Sequence, residues 1–122
     1  MTKIAISSEG PTLLDQVDPR FGRAAGFIIA DPEDMTSTYI DNGASQARAQ
    51  GAGIQAAETV ARHDVSAVLT GYVGPKAFQA LSAAGIKVAQ DFGNISVKEA
   101  IERYNQGNIA WVKLSQTKGP RR

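Results

Sequence analysis

The sequence has no cysteine, a single histidine and no long apolar run. Each absence removes a class of function. Without cysteine there is no disulfide, no thiolate metal site and no cysteine nucleophile. With His63 as the one imidazole, zinc lacks a ligand set and a Ser–His–Asp triad lacks support. The G-x-S-x-G elbow that presents a nucleophilic serine is also missing. No stretch approaches the length of a membrane span. The apolar start, KIAIS, is too short for the core of a secretory signal. A charge excess is absent too: 13 Lys and Arg against 12 Asp and Glu leave +1. General nucleic-acid binders show a basic surplus. Neither nucleic acid nor membrane is therefore an expected partner, and a cytoplasmic protein is the default.

What is present organises itself around residues 67–81, AVLTGYVGPKAFQAL. Ala67, Val68 and Leu69 form a short apolar run suited to an inside strand. Gly71 and Gly74 break it. Pro75 then occupies a first helical position, where its missing N–H would have found no partner anyway. Ala77, Phe78, Leu81 and Ala84 follow at helical spacing. The free amides of such a helix start point back at the glycine loop and suit an anion. Lys76, a cation in the first turn, opposes the helix dipole, and a bound anion would reverse that cost. A plain strand–glycine–helix connection that binds nothing is the other reading of this stretch. Neither a Walker A loop nor a G-x-G-x-x-G fingerprint is present.

The rest of the chain falls around this unit. Its 122 residues fit one domain, expected over 1–114, with a flexible basic tail over 115–122. Ile4, Ala5 and Ile6 make a first strand. Residues 8–20 form a long loop, either functional or mobile. In the following RFGR, Phe21 reads as a buried anchor between two solvated arginines. Strands over 26–30 and 36–40, joined by Asp31-Pro32-Glu33-Asp34, should pair as an antiparallel hairpin. Residues 44–50 read as loop. Gly51 and Gly53 open a helix with Ile54, Ala57, Val60 and Ala61 on one face, and His63 ends it. Gly85 terminates the next helix. Residues 86–89 form a fifth strand, parallel to the one at 67–69. Ser96 to Glu99 is a capping box for a last helix with Ala100, Ile101 and Tyr104 inward, stopped by Gly107. Residues 109–114 would add an edge strand.

This is an α/β fold with a mixed five-stranded sheet: an antiparallel meander, then parallel strands, with helices packed on it. Ligands in such sheets sit beyond the carboxyl ends of strands where the chain changes direction. Nuclease chemistry on such a sheet needs carboxylates that hold two metal ions. The first strand offers none, and Glu9, Asp15 and Asp18 lie in a loop with nothing to pair them. A divalent-metal hydrolase is the weakest of the open readings. An anion-binding surface of glycine amides, cations and small hydroxyls survives.

FGRA at 21–24, GAGI at 51–54, TGYVGPKAF at 70–78, AGIKV at 84–88 and KEAIERYNQG at 98–107 stand in a specific order. By these motifs, over roughly 3–107, the chain resembles the dinitrogenase iron–molybdenum cofactor biosynthesis family. It is most similar to the small stand-alone members of orange-protein type. The nitrogenase-linked carriers draw on His or Cys, and here only His63 is available. The resemblance implies a ribonuclease H-like fold and an anaerobe's non-enzymatic carrier. Its cargo would be an anionic metal–sulfur cluster, a molybdenum–copper sulfide or a related molybdenum or iron–sulfur cluster, held without covalent protein ligands. Arg23 and Lys76 would supply charge. The Gly51, Gly53, Gly71 and Gly74 amides would bond the sulfides, and Phe21 and Tyr72 would shield them. Ser7, Ser8, Gly22, Asn42 and Ala52 complete the expected set, and no residue is expected to ligate metal. The alternative is a regulatory or interaction module binding a protein partner or a phosphate-bearing ligand at the same end of the sheet.

Overall fold

The computed structural model describes residues 2–46 and 50–113. Its centre is β1 (Lys3–Ser8), whose Ile4, Ala5 and Ile6 are all fully buried. A strand apolar on both faces must be covered on both. On one side of it lie β2 (Gly26–Ala30) and, at the edge, β3 (Ser37–Asp41), both antiparallel to their neighbours. On the other side lie β4 (Val65–Leu69) and β5 (Lys87–Ala89), both parallel. The order is β3-β2-β1-β4-β5, the mixed five-stranded sheet that the strand pattern predicts.

Helices cover both faces. α2 (Ala52–Ala61) and α3 (Pro75–Ala83) pack Ala56, Ala57, Val60, Ala77 and Leu81 against Ala5, Phe27, Ile29 and Val68. On the opposite face, α4 (Val97–Asn105) packs Val97, Ala100 and Ile101 against Ile4, Ile6, Ile28 and Leu69. The alternation of Ile4 and Ile6 with Ala5 is the two-residue period of a strand sorted between two cores. The helix ends follow local chemistry. Gly85 takes φ +80°, and the Ile86 and Gly85 amides donate back to Leu81 and Ser82 carbonyls, both at 2.9 Å. The Ser96 hydroxyl accepts the Glu99 amide at 3.0 Å, as the capping box predicts.

Several elements depart from the sequence reading. Within the stretch expected as loop, a single helical turn forms, α1 (Gly43–Gln46), closed by the Gln46 amide on the Asn42 carbonyl. Ile54 does not join the inner face of α2. The buried stripe is Ala52, Ala56, Ala57 and Val60, and Ile54 lies roughly 160° round the helix from Ala56 at about 100° per residue. The edge strand expected from 109 reduces to one bridge between Trp111 and Ala89, with the Val112 amide on the Val88 carbonyl at 2.7 Å. β5 is three residues long and gives a neighbour little to pair with. Leu114 and the tail 115–122 lie outside the described residues. The loop after β1 is packed against its neighbours. Val17 is buried, its amide bonds the Ile95 carbonyl, and the Asp18 amide bonds Ser7.

A cationic cleft at two helix starts

β1 and β4 are parallel neighbours whose chains leave in opposite directions, toward β2 and toward β5. A crevice opens where connections part in this way. Here the connections on either side of it touch. Arg20 bridges to Tyr72, and the Phe21 amide donates to the Tyr72 carbonyl at 3.1 Å. Gly22 lies so close to the start of α2 that a Cβ on it would sit 2.9 Å from the Gly53 backbone. Between them these segments enclose a cleft of about 960 Å³. Arg20, Phe21, Gly22 and Arg23 line it from one segment. Gln50, Gly51, Ala52, Gly53 and Ile54 line it from the second, and Tyr72, Gly74, Pro75, Lys76 and Ala77 from the third.

Two helices therefore begin at one place, and neither has a side-chain cap or an acidic residue in its first turn. Their first amide bonds to a helical carbonyl are Gln55 to Gly51 and Phe78 to Gly74. The earlier amides, Ala52 to Ile54 on α2 and Lys76 and Ala77 on α3, have no acceptor within their helices. α4 is built otherwise, with Ser96 and Glu99 at its start. Arg20, Arg23 and Lys76 add positive charge to the cleft, Arg20 being paired with Asp18 at 3.4 Å, and among the described residues no Asp or Glu lines it. Arg23 is steadied by donating to the Gln46 carbonyl at 3.1 Å, while Gln46 donates to the Arg23 carbonyl. Buried Asp18 fastens the segment from behind, accepting the Arg20 amide at 3.0 Å and the Ala25 amide at 3.1 Å. Among the described residues no three His, Cys, Asp or Glu side chains gather to hold a metal ion. No helix among them is long and apolar enough to cross a membrane. The arrangement suits an anion.

Residues 2–107 match the family model described as dinitrogenase iron–molybdenum cofactor. The chain belongs to the dinitrogenase iron–molybdenum cofactor family. Among solved structures it is similar to the apo form of the orange protein from Desulfovibrio gigas. That pair shares 53% identity and a TM-score of 0.89, over 92% of this chain and 93% of the other. It is also similar to a putative NifB protein from Thermotoga, at 34% identity and a TM-score of 0.77, covering 91% and 93%. An uncharacterised protein of Methanocaldococcus jannaschii is 28% identical over 98 residues, covering 78% of this chain and 81% of that one. Membership in the dinitrogenase iron–molybdenum cofactor family supports a cofactor-binding role.

In this family member the cleft gathers most of the expected residues: Phe21, Gly22, Arg23, Gly51, Ala52, Gly53, Tyr72, Gly74 and Lys76. Four stand elsewhere. Ser7 is fully buried, donates to the Asp18 carbonyl at 2.8 Å and shares a 2.7 Å bond with Thr70. Ser8 is equally buried, and its hydroxyl bonds the Gly10 carbonyl. The loop after β1 closes over both, and buried hydroxyls take the nearest backbone partner. Asn42 supports the cleft from outside by donating to the Gly22 and Ala24 carbonyls. Gly71 packs on Pro19 and borders a second, shallow hollow with Asp91 and Asn94, which shares Tyr72 with the cleft. Phe21 belongs to the floor: the residue is 1% exposed and its ring lies 5.2 Å from that of Phe27. Arg20, Gln50, Ile54, Pro75 and Ala77 also line the cleft but were not expected there. For Arg20 the signal was its place beside FGRA. For Ile54 the signal was its place in GAGI, set against a periodicity that pointed inward. His63 follows the last turn of α2, at the end away from the cleft.

Proposed function

We propose that this protein is a non-enzymatic carrier that holds an anionic metal–sulfur cluster in the cleft without covalent ligands. The cargo is a molybdenum–copper sulfide or a related molybdenum or iron–sulfur cluster. The observation that carries the reading is the convergence of two uncapped helix starts with Arg23, Lys76 and the Asp18-paired Arg20 on a cleft whose described lining holds no carboxylate. Such a cluster brings its own sulfides, so a cysteine-free protein need supply only N–H donors, positive charge and apolar contacts. Space supports the fit: a Cβ on Gly74 would meet nothing within 4 Å, which leaves room beside the α3 amides.

The site is tested by replacing Arg23 and Lys76 together with alanine. Both side chains lie outside the core, so the thermal midpoint should stay close to that of the parent. Cluster uptake, read as metal retained after gel filtration, should fall by roughly tenfold or more. Unchanged uptake would place the cargo elsewhere.

A further inference from the structure

Among the described residues, no serine and no threonine lines the cleft. It does contain large apolar side chains in the open. Among the described residues, the large hydrophobic side chains that stand exposed are Leu14, Ile54 and Tyr72. Two of them, Ile54 at 40% and Tyr72 at 47%, line this cleft from different segments, Tyr72 at its border with the second hollow. Ile54 is the third residue of α2, in the turn that carries that helix's free amides. Tyr72 leads into the α3 start across the cleft.

An anion drawn in by the amides and cations therefore meets an isoleucine and an aromatic ring. For an oxyanion that encounter is unfavourable. Its charge is concentrated on small, strongly hydrated oxygens, and apolar contacts return nothing for the water removed. Sulfide ligands are larger, more polarisable and more weakly hydrated. Sulfur also makes favourable contacts with aromatic ring edges and aliphatic carbon. We propose that Ile54 and Tyr72 determine the specificity of this cleft and select thiometallate anions over oxyanions of the same shape and charge. The proposal rests on the carrier reading for the place where the anion binds.

The test is anaerobic titration calorimetry of the full chain with matched pairs: tetrathiomolybdate against molybdate, and tetrathiotungstate against tungstate. The thioanion should bind more tightly by about a hundredfold, and Ile54→Gln or Tyr72→Ser should each narrow that ratio roughly tenfold. Tyr72→Phe, which restores the ring without its hydroxyl, should restore the preference. Arg23→Ala should weaken both anions of a pair alike and leave the ratio in place. Both side chains are exposed, so the variants should unfold at the parental temperature; Ile54→Ala replaces Ile54→Gln if the latter does not. Equal affinity for the two anions, or a preference that survives both substitutions, overturns the proposal. In that event uptake of a copper–thiomolybdate cluster by the parent would leave the carrier reading standing. Binding of neither anion, together with no cluster uptake, would remove both.

Discussion

A methyl group at Gly22 would lie 2.9 Å from both the Cα and the amide nitrogen of Gly53. Backbone cannot yield there as a flexible side chain could, so Gly22→Ala must push the RFGR segment away from the start of α2. We expect a loss of about 1–3 kcal/mol in stability and weaker cluster uptake, because the cationic and amide sides of the cleft move apart. Chemical denaturation and gel filtration read the two effects separately. Ser7 gives the opposite pattern. Ser7→Ala removes buried hydrogen bonds to Asp18 and Thr70, which should cost about 1–2 kcal/mol, yet uptake should stay at the parental level. At this scale the sequence was legible where a residue's role follows from its own backbone, as with Pro75 or Gly85. It was not legible for Ser7 and Ser8. Whether a hydroxyl at a strand end meets ligand or protein depends on where the next loop lies, and no local pattern records that.

Helix starts set the chemistry of the cleft, and they can be altered one at a time. Gly74 has extended backbone, φ −75° and ψ 167°, and open space where a Cβ would go. Serine is at home in that conformation and would cap the α3 amides. Gly74→Ser should therefore raise stability, by a few tenths of a kcal/mol through the cap and by about 0.5 kcal/mol more through a less flexible unfolded chain, and lower cluster uptake, since the hydroxyl competes for the same N–H groups. Ser96→Ala is the counterpart at α4. It should cost about 1 kcal/mol and leave uptake alone, as α4 covers the other face of the sheet. Thermal unfolding beside metal analysis checks both. The strands, the glycine-flanked helix starts and the capping box could all be read from local sequence, because each is written in consecutive residues. The facing of α2 could not. Ile54, Ala57 and Val60 look like one apolar stripe, but the small residues Ala52 and Ala56 turn inward and leave Ile54 at the cleft. Trp111 was read as a strand residue for a related reason: its β propensity is real, but the three-residue β5 offers only one bridge.

At the scale of the molecule, the position of the cleft follows from strand order. With β1 central, the meander β2–β3 lies to one side and the parallel pair β4–β5 to the other, so the connections part at one end of the sheet. That end could be named from the sequence; the volume and the apolar wall of the cleft could not, because they depend on how three distant segments meet. A carrier that binds cargo only when folded must also be stabilised by it. At cargo concentrations a hundredfold above the dissociation constant the gain is about 2.7 kcal/mol, a rise of roughly 10 °C in thermal midpoint for a chain of this length. The central claim, that the protein holds a metal–sulfur cluster, is tested most directly by anaerobic reconstitution of the full chain with tetrathiomolybdate and copper. Visible absorption and metal analysis after gel filtration give the readout. The account predicts a coloured protein that retains molybdenum and copper in a fixed ratio; a colourless protein that loses both metals on the column would contradict it.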